Sequence, residues 1–310
     1  MRRRELLGAV AGLLGAAGCD RHGPGKSGTG RPAPATATST ASVAGGHWRE
    51  LSFAPGAHWS EPEHAALLVG AADQPLLVAL HGRGEAGRGL KVGARGWRDD
   101  YDLDLAHQRL KRPPLTEKDF HGFVAPVRLA ALNASLAAKS YAGLTVACPY
   151  APALRDRSLA GARGFASFVT EVLVPRVRQE LGLPKERKRT GIDGVSMGGR
   201  LALLVGLSHP ELFSAVGALQ PAISVAEAEW LARLAATAGA RHPMKLRLVS
   251  SEDDPFLPAV QAFAKALDER QVAHQVIVTP GPHDYIWNRG PGSYEMLLWH
   301  ERVLRGLAAP

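Results

Sequence analysis

A chain of 310 residues can hold one large domain or two small ones. Its 45 % apolar content suits a globular protein with a substantial core and excludes an intrinsically disordered one. The formal net charge is +8, but six Lys/Arg against two Asp/Glu before residue 47 supply half of it, and the rest is spread thinly, which argues against a nucleic-acid footprint.

Residues 1–19 read MRRRELLGAVAGLLGAAGC. A basic cluster (Arg2, Arg3, Arg4) precedes an apolar stretch from Leu6 to Ala17, too short for an ordinary membrane span but laid out like a secretory signal. The ending Ala-Ala-Gly-Cys resembles a bacterial lipobox, which would make Cys19 the lipidated first residue of the mature chain. A plain cleaved signal with an incidental cysteine is the alternative. Residues 20–46 are rich in Gly, Pro, Ser, Thr and Ala, and bury too little to offset their ordering entropy. They are expected to form a flexible tether. The expectation is an exported lipoprotein, anchored by lipid and facing the periplasm or the cell exterior. Two cysteines, Cys19 and Cys148, cannot make a disulfide framework, and Cys148 closes an apolar run as a buried thiol would.

From residue 47 onward the pattern predicts a catalytic domain of alternating strands and helices. Early strands are expected at Arg49–Phe53, Ala66–Val69 and Leu76–Leu80. Residues 83–142 are too long for one crossover helix, so a crossover helix plus an inserted cap or long loop is expected, the insertion over about 88–142. This stretch holds Trp97, an acidic run (Asp99, Asp100, Asp102, Asp104) and a helical pattern at Val127–Ala138. The acidic run lacks the glycine and distal Glu of a calcium loop, so a solvated loop is the simpler reading. Next come a strand at Gly143–Cys148 and a helix at Phe165–Leu181, the latter closed by Gly182 and Pro184. The remaining strands are Thr190–Val195, Ala215–Leu219, Lys245–Val249 and His274–Thr279. Helices at Met197–Ser208, Val225–Ala238, Phe256–Gln271 and Tyr294–Leu307 alternate with them. Such alternation implies a mostly parallel sheet with helices on both faces, with catalytic groups at the carboxyl ends of strands.

The strongest chemical signal is Gly194-Val195-Ser196-Met197-Gly198-Gly199, between a predicted strand and a predicted helix. A sharp strand-to-helix turn exposes the serine Oγ and brings backbones too close for side chains at Gly194 and Gly198. Ser196 is thus the candidate nucleophile, and the Met197 N–H at the helix start is a candidate oxyanion donor. The strand Leu76–Leu80 runs into His81-Gly82-Arg83-Gly84, whose Arg83 N–H is the candidate second donor. His283 lies just past the last predicted strand, in Pro280-Gly281-Pro282-His283, where its imidazole can serve as general base. Asp254 and Asp253 follow the penultimate predicted strand, and either can orient the histidine, with Asp254 preferred. The order Ser, Asp, His is that of the α/β-hydrolase fold. Neither a zinc HExxH motif nor a Rossmann glycine fingerprint is present, so no cofactor or metal is expected.

These residues resemble the bacterial putative-esterase family of α/β-hydrolases, which includes esterase-D-like and feruloyl-esterase-like enzymes. The likeness is densest at Ile192–Gly199 and in the turn Ser208-His209-Pro210-Glu211-Leu212-Phe213. His283-Asp284-Tyr285-Ile286-Trp287 resembles the family's His-Asp-x-x-Trp segment. The resemblance implies an α/β-hydrolase fold and serine-dependent hydrolysis of a small-molecule or polysaccharide-linked carboxylic ester. It also offers Tyr285 and Trp287 as pocket residues, with packing behind the histidine loop as their alternative role. An acyltransferase using the same triad, a peptidase and an inactive surface binding protein are the other readings.

Overall fold

In a computed structural model, residues 47–57 and 59–310 are described. The expected signal, the lipidated Cys19 and the tether lie outside them.

The chain opens with strands β1 (His47–Phe53), β2 (Glu63–Val69) and β3 (Leu76–Leu80). Short helices α1 (Arg83–Ala86), α2 (Leu90–Ala94), α3 (Gly96–Asp99) and α4 (Leu103–Arg109) and the longer α5 (Pro126–Ala138) follow. Strand β4 (Thr145–Pro149) leads into α6 (Leu159–Ser167), a π-turn at Phe168–Leu173, and α7 (Val174–Leu181). The helix expected at Phe165–Leu181 thus begins six residues earlier, where Ser158 caps it by accepting from the Gly161 N–H. The π-turn precedes Pro175, which has no N–H for the i→i−4 ladder.

The second half alternates as expected: β5 (Thr190–Gly194), α8 (Met197–Ser208), β6 (Ala215–Leu219), α9 (Val225–Arg241), β7 (Lys245–Asp253), α10 (Leu257–Glu269) and β8 (Gln275–Pro282). A single turn, α11 (Tyr285–Trp287), and the closing α12 (Ser293–Leu304) complete it.

The eight strands form one sheet in the order β1-β2-β4-β3-β5-β6-β7-β8. β2 runs antiparallel to both its neighbours, and every pairing from β4 to β8 is parallel. This is the α/β-hydrolase architecture. Side-chain alternation divides the core. In β3, Leu76, Val78 and Leu80 face the layer of α6 to α10, whereas Leu77 and Ala79 face the layer of α3 to α5 and α12. Central strands buried on both faces read as unbroken apolar runs, and β3 does so.

The stretch over 88–142 packs into the body of the fold, with short helices, a largely irregular segment over 110–125 and α5 as the helix that leads to β4. Trp97, Tyr101, Leu103 and Phe120 are buried in the same cluster as Leu77, Val146 and Leu297 of the sheet and α12. Its apolar side chains complete one face of the sheet. The acidic run is ion-paired rather than merely solvated: Asp99 meets Arg95 and Arg98, Asp100 meets Arg88, and Asp102 meets Arg289.

Candidate active site

Strand β5 ends at Gly194, and α8 starts at Met197, leaving Val195 and Ser196 to make the turn. Ser196 has φ 57° and ψ −118°, a conformation that costs a non-glycine residue strain and persists only when its surroundings hold it. Here they do. The Ser196 N–H donates to the Leu219 carbonyl at 2.9 Å, and its own carbonyl accepts from the N–H groups of Arg200 and Ala222. A Cβ on Gly194 would lie 2.5 Å from the Gly198 carbonyl, and one on Gly198 would lie 2.4 Å from the carbonyl oxygens of Leu80 and His81. The glycine spacing in the sequence therefore records backbone contact.

His283 follows β8, after Gly281 at φ 111°. Its Nε2 lies 3.0 Å from Ser196 Oγ, and its Nδ1 lies 2.9 Å from Asp254 Oδ1. A carboxylate at Nδ1 fixes the proton there, leaving Nε2 as the acceptor for the serine hydroxyl. The Asp254 side chain is fully buried, while His283 keeps partial access to solvent. Asp254 also accepts from Ser250 Oγ at 2.5 Å and from the Phe256 N–H at 3.0 Å.

Asp253 is the corrected candidate. It is exposed at the end of β7, whose register shifts between Ser251 and Asp253, and Asp254 is the residue turned inward to the imidazole. Asp193, beside the elbow, faces the other side of the sheet and holds the buried His300 at 2.9 Å.

Met197 and Arg83 are the first residues of α8 and α1, positions whose N–H groups have no intrahelical acceptor. Both line the same cleft as Ser196, about 340 Å³ in volume and walled by Pro152, Leu154 and Phe256. The loop carrying Arg83 is tied down on both sides. The Ala151 N–H donates to His81 Nε2 at 2.9 Å, so His81 Nδ1 donates to the Gly82 carbonyl. Burial lowers the His81 pKa, which keeps this ring a neutral strut rather than a base. The Tyr101 hydroxyl accepts from the Gly82 N–H and donates to the buried Glu85 carboxylate at 2.5 Å.

Trp287 is not a pocket residue. It is fully buried, with Nε1 donating to Thr279 Oγ1 at 2.8 Å, and it packs behind the histidine loop. Tyr285 is partly exposed, but its hydroxyl lies over Gly84 and its ring against Tyr101, outside the cleft at Ser196. The Cys148 thiol is buried and its pKa is pushed up by desolvation, which excludes a thiolate nucleophile.

Several supporting residues had no signature in the sequence. Ser250 braces Asp254. Gln220, at φ 42°, donates its side-chain amide to Ser251 Oγ and to the Pro282 carbonyl next to His283. Gln220 acts across strands, joining the end of β6 to those of β7 and β8, whereas Ser250 reaches the carboxylate four residues further along its own segment.

Residues 149–284 match the family model described as putative esterase. Over those residues the chain is similar to the esterase family, and its fold is that of an α/β hydrolase. A solved ferulic acid esterase is 16 % identical over 83 % of this chain and 99 % of its own, with a TM-score of 0.59. The S-formylglutathione hydrolase of Staphylococcus aureus is 15 % identical over 82 % and 99 %, also at 0.59. That of Agrobacterium tumefaciens is 19 % identical over 84 % and 96 %, at 0.57. These likenesses are of fold. No curated protein sequence matches the chain. The matched span contains Ser196, Asp254 and His283 but not Arg83.

Proposed function

We propose that this esterase cleaves a carboxylic ester through an acyl-enzyme on Ser196. The observation that carries the reading is the unbroken chain from Ser196 Oγ through the His283 ring to Asp254, with links of 3.0 and 2.9 Å. His283 takes the hydroxyl proton as Ser196 Oγ attacks the ester carbonyl. The N–H groups of Met197 and Arg83 hold the oxyanion, and Asp254 steadies the imidazolium. Collapse expels the alcohol, which takes the proton from His283. Water, deprotonated by the same ring, then attacks the acyl-enzyme, and the acid leaves as Ser196 regains its proton.

Ser196→Ala is expected to abolish turnover of a short-chain chromogenic ester and labelling by a fluorophosphonate probe, with an unchanged thermal melt. Full activity in a clean preparation of that variant refutes the assignment. The substrate reading is a small-molecule or polysaccharide-linked ester, to be sorted by a panel varying acyl chain and aromatic character.

The same proposal places the domain outside the cytoplasm, on a lipid carried by Cys19. The Arg-rich start, apolar stretch and terminal Ala-Ala-Gly-Cys support this. Metabolic labelling with a fatty-acid analogue should tag the wild type and not Cys19→Ser. Labelling of neither rejects the anchor.

A further inference from the structure

Beside the cleft at Ser196 lies a second pocket of about 560 Å³. The two share Pro152 and Leu154, so one wall separates and joins them. Three aromatic rings, Trp59, Tyr150 and Phe165, line the second pocket. So does Glu63, the first residue of β2, which is 8 % exposed. Its Oε2 is buried without any hydrogen-bond partner. A buried polar atom left unpaired costs stability and calls for a partner, and at the wall of a pocket a ligand can supply it.

The charges of the two cavities are opposite. Every charged residue lining the nucleophile's cleft is an arginine: Arg83, Arg155, Arg157 and Arg200. Every charged residue lining the second pocket is a glutamate, Glu61 or Glu63. A carboxylate among aromatic rings is the chemistry that recognises an organic cation, since ring faces and carboxylate both present negative potential. Arg157 and Arg200 share Glu227, which leaves Arg83 and Arg155 to repel the same cation from the nucleophile.

We propose that this second pocket is a subsite for an alkylammonium group on the remote end of the ester, held by Glu63 and the rings of Trp59, Tyr150 and Phe165. It rests on the reading of Ser196 as nucleophile for its place in the substrate. The charge division then sets orientation, with the carbonyl at Ser196 and the cation across Pro152 and Leu154. Burial pushes the empty Glu63 carboxyl up to about 8, so cation binding at neutral pH displaces its proton. Glu61 and the Tyr150 phenol, the latter hydrogen-bonded to the Ala86 carbonyl, are the other titratable groups of the pocket.

The test uses the full chain at pH 8.5. Phenyltrimethylammonium is titrated calorimetrically into wild type, Glu63→Gln and Glu61→Gln. Binding is expected to weaken about tenfold in Glu63→Gln and about two- to threefold in Glu61→Gln, an exposed position whose change leaves the fold intact. In parallel, a choline ester is compared with the 3,3-dimethylbutyl ester of the same acid, its uncharged isostere. The wild type should favour the choline ester about tenfold in kcat/KM, and Glu63→Gln should erase the preference through KM for the choline ester. No binding by the wild type, equal binding by Glu63→Gln, or no preference between the two esters overturns the proposal. Failure of the esterase reading looks different: neither ester is turned over and Ser196 is not labelled, while the ammonium titration still decides what the pocket binds.

Discussion

Ser250 donates its hydroxyl proton to Asp254 Oδ2 at 2.5 Å, on the oxygen that His283 does not use. With the Phe256 N–H on Oδ1, the carboxylate is fixed in plane and height before the imidazole arrives. Hydrogen bonds to charged groups contribute about 1.5–3 kcal/mol, and part of that is felt when His283 becomes positive in the transition state. Ser250→Ala should therefore lower kcat about three- to tenfold with little change in KM, and Ser250→Thr, which keeps a hydroxyl, should recover most of it. Equal kcat in wild type and Ser250→Ala would show that Asp254 needs no brace.

The two adjacent carboxylates should behave oppositely. Asp254→Asn replaces the acceptor at His283 Nδ1 by a group that can impose the wrong tautomer, and the expected loss in kcat is about 10³- to 10⁴-fold. Asp253→Asn alters an exposed side chain at the end of β7 and should stay within about twofold of wild type. Steady-state rates on one chromogenic ester compare the two. A large loss in Asp253→Asn would mean that the carboxylates exchange roles.

What the sequence disclosed was local. The elbow was legible because Gly194, Ser196 and Gly198 sit within five residues, flanked by a strand run and a helical run that the structure reproduces at Thr190–Gly194 and Met197–Ser208. His283 was legible from its place after the last strand. The choice between Asp253 and Asp254 was not, because a shift of register in β7 against β8 decides which carboxylate turns inward. Residues 88–142 read as a cap or loop because their short helices carry few periodic apolar positions, and the cluster that buries Trp97 and Tyr101 includes strands and a helix elsewhere in the chain. Trp287 had an aromatic's two equal uses, and the Thr279 partner that commits it to packing lies on another element. Glu63 gave no signal at all, since the wall formed by Tyr150 and Phe165 is remote in sequence.

The elbow's geometry makes a steric prediction. A methyl at position 198 would stand 2.4 Å from two backbone carbonyls, at Leu80 and His81, neither of which can yield without moving β3 or the loop that carries Arg83. Gly198→Ala should either lower the melting temperature by several degrees or, where it folds, lose fluorophosphonate labelling at Ser196. Gly239→Ala is the control, because a Cβ there meets nothing within 4 Å; it should keep wild-type labelling and melt at or slightly above wild type, since alanine favours the helix α9. Wild-type labelling and melting in Gly198→Ala would mean that the turn is looser than its contacts require.

Glu63 predicts a pH dependence of stability whose sign is set by burial. Its carboxyl is raised from 4.5 to about 8 in the folded chain by desolvation. Below pH 4.5 both folded and unfolded states hold the proton and Glu63 makes no difference. Between 4.5 and 8 only the folded state holds it, so unfolding releases a proton and stability falls as pH rises; above 8 the loss is complete. Glu63→Gln removes the titration while keeping the shape. Its melting temperature should match wild type near pH 4 and exceed it by about 5 °C or more at pH 9, given about 1.4 kcal/mol for each unit of displacement. Thermal melts of the two proteins across that range make the comparison. Curves that run parallel from pH 4 to 9 would place the carboxyl in contact with water in the folded state, and the pocket would lose the unpartnered carboxyl that gives it a use for a cation.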